Sequence, residues 1–289
     1  MTHGSTGSGW SQLRQALEEL DRLPAMPEMA RRLLQIHANP YATVDELTAT
    51  LALDPSLAAQ LMRHARSPLF GWRGSIDTLD DAIIKVLGFH LTLNMALGIA
   101  LSGSLRMQRD GSLGLDAFWI HALSCATLCH DLGRRMPAEI RPPAGLPYLC
   151  GLLHNFGLLL TGHLFPQLLQ RIETAWDAIP GSSLTGVELE ILGTTHAEIG
   201  AWLMEQWHLP PEVITTVREH HNDQYSGINA LYPRLVRVAN HLLGEVEEQE
   251  LDSRLLESLS LTEGEIEEVL AQLELHIADL ESLAARLAA

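Results

Sequence analysis

Along most of the chain, apolar residues recur at spacings of three and four, and the runs open on helix-capping residues. "TVDE", Thr43 to Glu46, has the reciprocal form in which a threonine and a glutamate close the first turn of a helix. "DPSLAAQLMRHA" follows, with Asp54 as N-cap and Pro55 at the first helical position, where a missing N–H costs nothing. Its Leu57, Leu61 and Ala65 share one face. Thr78 opens "LDDAIIKVLG", with Ile83 and Leu87 facing inward and Gly88 placed to end the helix. "FWIHALSCATLCHDLGRR" reads as one long helix. No alternating run of strand type and no internal repeat interrupts this pattern, so it predicts an all-α protein.

Two breaks divide the chain. "RRMPAEIRPPAGLPY", residues 134–148, carries four prolines and is a loop between helices; "MQRDGSLGLD", residues 107–116, is a softer one. The division expected is a flexible tail at 1–10, an N-terminal helical lobe at 11–110, a larger helical lobe at 111–250 and an amphipathic extension at 251–289. In that extension "TEGE", Thr262 to Glu265, is another capping box. Ile266, Leu270, Leu273, Ile277, Leu280, Ala284 and Leu287 then alternate by four and three, a three-heptad stripe on one helix. Such a stripe folds back on its own domain or pairs with a partner, and folding back is the expectation.

Charge narrows the functions. The 19 basic and 36 acidic residues leave a net charge of −17, which repels phosphate backbones and anionic lipid heads. Nucleic acid and membrane surfaces are therefore poor partners for the whole molecule, a local basic patch being the alternative, and neither is expected. The single lysine, Lys85, excludes a lysine-lined phosphate cradle. Cys125, Cys129 and Cys150 form no Cys-x-x-Cys pair and read as reduced, buried thiols of a cytoplasmic protein. "MTHGSTGSG" lacks the apolar core of a signal peptide, and no apolar run reaches transmembrane length.

Histidine is abundant, with 14 in the chain. His121, His154, His196, His220 and His221 stand in segments of helical pattern, and neutral imidazole is a ligand for iron, zinc and nickel. Metal-assisted hydrolysis also needs carboxylates to bridge and neutralise the ions. "GLLHNFGLLL" offers His154-Asn155 instead, and "LVRVANHL" offers Asn240. An amide oxygen is neutral and cannot bridge two cations as a carboxylate does.

Spaced motifs over residues 20–245 resemble the HDOD family, the HD-related output domain akin to HD-GYP and other HD-domain phosphohydrolases. "LPAMPEMARRLL", "DPSLAAQLMRHARSPLFG" and "SIDTLDDAIIKVLG" resemble the motifs of its N-terminal lobe. "FWIHALSCA", "LLHNFGLLL" and "HAEIGAWLMEQWHLPPEVITTVREHH" resemble its HD-like lobe. The resemblance implies a two-lobed helical fold with a vestigial HD site at His121, His154, Asn155, His196, His220, His221 and Asn240. His130-Asp131 lies nine residues from His121 on one helix, too near to be the partner pair, and reads as a solvated helix end. Leu158 stands at the family's lysine, no Gly-Tyr-Pro follows His221, and Arg66 replaces an asparagine. Phe70 and Trp72 read as aromatics that pack the lobes.

The implied function is a non-catalytic output module of bacterial signal transduction. It would act on protein partners in a two-component or cyclic-dinucleotide pathway, as a monomer, with a dimer as the alternative. No cofactor is expected. The late histidines read first as hydrogen-bonded core residues, and a retained iron, zinc or nickel ion would fall to His154, His196, His220 and His221. The rival readings are a metal-dependent phosphohydrolase of nucleotides or cyclic dinucleotides and a small-ligand sensor using the vestigial pocket.

Overall fold

A computed structural model describes residues 24–179, 181–244 and 253–288. The expected tail at 1–10, Leu23 of the first motif and the acidic joint at 245–252 lie outside the described residues. Among those described there is no strand, and the protein is all-α.

The caps set the first helices. Helix α1 is Glu28–Ala38, α2 Val44–Leu51 and α3 Pro55–Arg66. Thr43 Oγ1 accepts from Glu46 N at 3.2 Å, and Glu46 Oε2 accepts from Thr43 N at 3.0 Å. Asp54 Oδ1 accepts from Ser56 N and Leu57 N. Arg66 donates through Nε and Nη2 to Ile76 O at 3.0 and 2.6 Å, which ties the end of α3 to the segment leading into α4, Leu79–Asp81. Thr78 caps α4 as expected, but the chain then widens into a π-helical stretch over Ala82–Leu87. Gly88 N donates to Ile83 O, five residues back, and Gly88 ends the stretch at φ 77°. Ile83 and Leu87 are buried as the pattern requires. Phe70 packs on the core, whereas Trp72 is 42% exposed.

Helix α5, Phe89–Ser102, is buried on every side from Leu91 to Ile99, the mark of a helix at the centre of a protein. Its polar side chains turn back on the helix: Thr92 Oγ1 donates to Gly88 O and Asn94 Nδ2 to His90 O. Among the described residues no single helix is long and apolar enough to cross a membrane. The connector at 107–116 is held by Glu173, which accepts from Leu113 N at 2.9 Å and from Ser112 and Gln108.

Helix α6, Leu115–Arg135, is the spine of the second lobe, roughly 30 Å long. After it come α7 Leu146–Leu153, α8 Phe156–Leu164, α9 Pro166–Asp177, α10 Leu184–Leu192, α11 His196–Gln206, α12 Pro211–Glu219 and α13 Leu231–Leu242. Helix α7 lies against α6, and α8 against α11. One hydrophobic core runs from Ala30 to Ala288 through both lobes, so the connector does not separate two cores.

The C-terminal stripe departs from expectation. Instead of one three-heptad helix there are α14 Ser253–Leu259, α15 Glu263–Leu275 and α16 Ile277–Leu287, with a break at His276. Both α15 and α16 pack on α6, and the bend lets them follow its surface where one straight helix would diverge. Ile266, Leu273, Leu280 and Ala284 are buried, joined by Val269 and Leu283, while Ile277 at the bend is 38% exposed.

A candidate metal centre of five histidines

Helix ends position the site. His154 is the C-cap of α7, and Asn155, the N-cap of α8, follows it directly. His196 is the first residue of α11, whose N-cap Thr195 accepts from Glu198 N. His220 terminates α12 and His221 follows. His121 projects from α6. The five rings form one chain of contacts. Centroids lie 5.1 Å apart for His121–His154 and His154–His220, 5.4 Å for His196–His220, 4.9 Å for His196–His221 and 4.1 Å for His220–His221.

Hydrogen bonds fix three tautomers. His154 Nδ1 lies 2.7 Å from Gly151 O, and His220 Nδ1 lies 2.9 Å from Val217 O. His196 Nδ1 lies 2.8 and 3.0 Å from the carboxylate oxygens of Glu188, which also accepts from the His196 backbone N–H. Carbonyls and carboxylates only accept, so each Nδ1 carries the proton and each Nε2 presents a lone pair. Those lone pairs converge. His121 Nε2 is 3.2 Å from His154 Nε2, His196 Nε2 is 3.3 Å from His220 Nε2, and His221 Nε2 is 3.0 Å from His196 Nε2.

His121 and His221 can each lend an Nε2–H, to His154 and His196. Between His196 and His220 neither Nε2 has a proton to offer. Extra protons are disfavoured as well. Burial, then His121, holds His154 well below the usual histidine range; burial, then His221, does the same to His220. Burial of the inner face of His221, with His196 and His121 beside it, pushes that ring down to about 3. Hydrogen bonding thus accounts for the Nδ1 atoms but not for the close approach of the two unprotonated Nε2 atoms of His196 and His220. A transition-metal ion between them would account for that approach. With bonds of about 2.0–2.1 Å to nitrogen, the edge of a tetrahedron of ligands is about 3.3 Å, matching the separations here.

The other predicted residues are buried too. Asn155 Oδ1 and Asn240 Oδ1 each lack a hydrogen-bond partner. Two contributors escaped the sequence. Glu188 is 1% exposed and orients His196, yet in "VELEIL" nothing separates it from Glu190. Cys125, fully buried, joins His121 and His154 in a group whose donor atoms all lie within 4.8 Å. Its spacing of four from His121 puts both on one face of α6, a signal that was there to read. His196, His220 and His221 form a second such group.

His130-Asp131 is not a solvated helix end. Both residues are half-buried, because the first lobe covers this part of α6, and with Phe70, Leu87 and Tyr148 they line a cavity of about 120 Å³. Burial, then Arg134, lowers His130 to about 4, and burial raises Asp131. The pair lies nine residues, roughly 13 Å, along the helix from His121.

The HDOD domain family model matches residues 23–223. A protein from Marinobacter aquaeolei VT8, named as a candidate signal transduction protein, has a crystal structure similar to this one. The TM-score is 0.85 at 30% identity, over 99% of this chain and 67% of that one. An HDOD domain protein of unknown function from Geobacter sulfurreducens shares the fold, with a TM-score of 0.73 at 22% identity over 98% and 99% of the two chains. An uncharacterized protein of Treponema pallidum (strain Nichols) is 28% identical over 207 residues, 70% of this chain. The chain spans 39% of that relative's length.

Proposed function

Because the chain belongs to the HDOD family, we propose that it is a non-catalytic signal-transduction module acting through protein contacts, whose histidine centre holds a transition metal without hydrolysing a substrate. Asn155 and Asn240 carry this reading. Hydrolysis at a metal centre of this kind needs carboxylates that bridge ions and help deprotonate a bound water. Both amides are buried, with carbonyl oxygens that have no other partner; they can meet a cation weakly but cannot take up a proton. Glu188, the acid at the site, directs both oxygens at His196 and so orients an imidazole rather than serving as a base. Leu158 packs in a small satellite core with Leu169 and Ile172, where the resemblance places a lysine.

His121, His154, His196, His220 and His221 would hold the ion. Bound iron, zinc or nickel would supply a fixed positive charge and Lewis acidity. The protein's own part is to bind together α6, α7, α11 and α12, with Gly151, Val217 and Glu188 locking the rings. The net charge of −17 suits a partner with a basic face, and a cytoplasmic location fits the buried thiols, which form no disulfide among the described residues.

Elemental analysis of untagged protein, with a phosphodiesterase screen on nucleotides and cyclic dinucleotides, tests both halves. Bound metal and no turnover are expected. Metal-dependent turnover abolished by His154→Ala would establish the rival reading, a phosphohydrolase. Protein purified from metal-replete cells without bound metal would return the histidines to a structural role.

A further inference from the structure

The donor side chains of the centre fall into two groups. His121, Cys125 and His154 make one trio, and His196, His220 and His221 make another. They meet where the His154 and His220 rings stand edge to face. Neither trio contains a carboxylate. Neutral imidazoles leave the charge of a divalent ion uncompensated in a buried place, so each trio needs an anion of its own. In the second trio Glu188 supplies it through His196 Nδ1. The residue after His154, where an aspartate would serve the first trio, is Asn155. Cys125 remains as that trio's acid. A thiol gives its proton to solvent when it ligates a metal and becomes a thiolate.

We infer that His121, Cys125 and His154 form a thiolate-containing metal position for a thiophilic ion, zinc or copper(I), distinct in chemistry from the three-histidine position beside it. This rests on the reading that the histidine centre holds metal. Sulfur selects such ions, whereas imidazole alone accepts iron or nickel as well. Without a bridging carboxylate, the centre becomes two mononuclear positions of unlike preference instead of a bridged pair. Cys129 lies 3.9 Å from Cys125, sulfur to sulfur, but belongs to neither trio and serves as the internal control.

Cobalt(II) titration of the metal-free full-length chain tests this, since cobalt bound to thiolate shows a sulfur-to-metal charge-transfer band in the near ultraviolet. Two equivalents and the band are expected for the wild type. Cys125→Ala should bind one equivalent without the band. Cys129→Ala should keep both, and His221→Ala should lose one equivalent but retain the band. A folded Cys125→Ala that keeps the band or both equivalents overturns the inference while leaving the metal reading standing. Failure of the wild type to take up cobalt overturns both. Should Cys125→Ala misfold, cadmium NMR on the wild type reads the same point: a resonance in the sulfur-ligated range supports the thiolate position, and nitrogen-ligated resonances alone refute it.

Discussion

Replacing Gly157 by alanine should distort the centre. At Gly157 and Gly200, α8 and α11 meet backbone to backbone. A Cβ on Gly157 would stand 1.9 Å from His196 O, 2.7 Å from its carbonyl carbon and 2.8 Å from Gly200 N. Ordinary contact begins at 3.4 Å, so the helices must part by 3.4 − 1.9, about 1.5 Å. The obstructing atoms are backbone and cannot swing aside as a side chain would. Overpacking of a core costs about 1–3 kcal/mol, and a rigid obstacle belongs at or above the top of that range. At roughly 2 °C per kcal/mol for a chain of this size, the melting temperature should fall by about 6 °C or more. Because His196 begins α11, and Gly200 of α11 is wedged between α8 and Val217 of α12, the same displacement should disturb the 3.3 Å approach of His196 to His220, and metal affinity should drop at least about tenfold. Circular-dichroism melting and a competitive chelator titration measure the two effects. Gly264→Ala, where a Cβ meets nothing within 4 Å, is the control and should be neutral or stabilising by up to about 1 kcal/mol. A Gly157→Ala protein that melts within about 2 °C of the wild type and holds its metal equally well would refute the close-contact account.

Glu188→Gln should weaken metal binding by about 10–100-fold with the helical content intact; unchanged affinity in isothermal titration would remove Glu188 from the centre. Asn155→Asp with Asn240→Asp should tighten metal binding yet give no phosphodiesterase turnover, because Leu158 still leaves a phosphate unheld, and turnover in the double variant would show that the amides alone silence the site. Leu273→Asp buries an unpaired carboxylate against α6 and should cost several kcal/mol, of order 3, without altering the mass seen by light scattering; a well-folded monomer derived from a wild-type dimer would make α15 an oligomerisation element. His64 is buried and lowered to about 4, by burial first and then by Arg63. The unfolded chain therefore binds the extra proton between pH 6.5 and 4. Its stability contribution is full above pH 6.5 and falls by about 1.4 kcal/mol per pH unit toward 4. His64→Gln should flatten the acid limb of urea unfolding by one proton, and an unaltered slope would contradict that assignment.

Local rules carried most of the fold. Thr43, Asp54, Thr78 and Thr262 cap helices where the residue types demand it, since capping is decided within four residues of the chain. The π-helical stretch at Ala82–Leu87 left no mark, because Ile83 and Leu87 keep the i, i+4 spacing of an ordinary helix. The break at His276 was hidden for a different reason. Heptad spacing describes a straight partner seam, whereas here the chain must follow a neighbouring helix that only the tertiary fold supplies. At the centre, the histidines could be chosen by chemistry and resemblance. Glu188 could not, because its role depends on which of two acids, two residues apart, faces inward.

The ring of His221 has consequences for time as well as for affinity. His154, His196 and His220 are sealed in the interior, while His221 is exposed to solvent and closes the His196 side of the cluster. An ion entering from the His196 side would meet that imidazole first and leave it last, so rotation of one side chain would gate exchange on that side. Occupancy of that position would then respond slowly to a change in the surrounding metal pool.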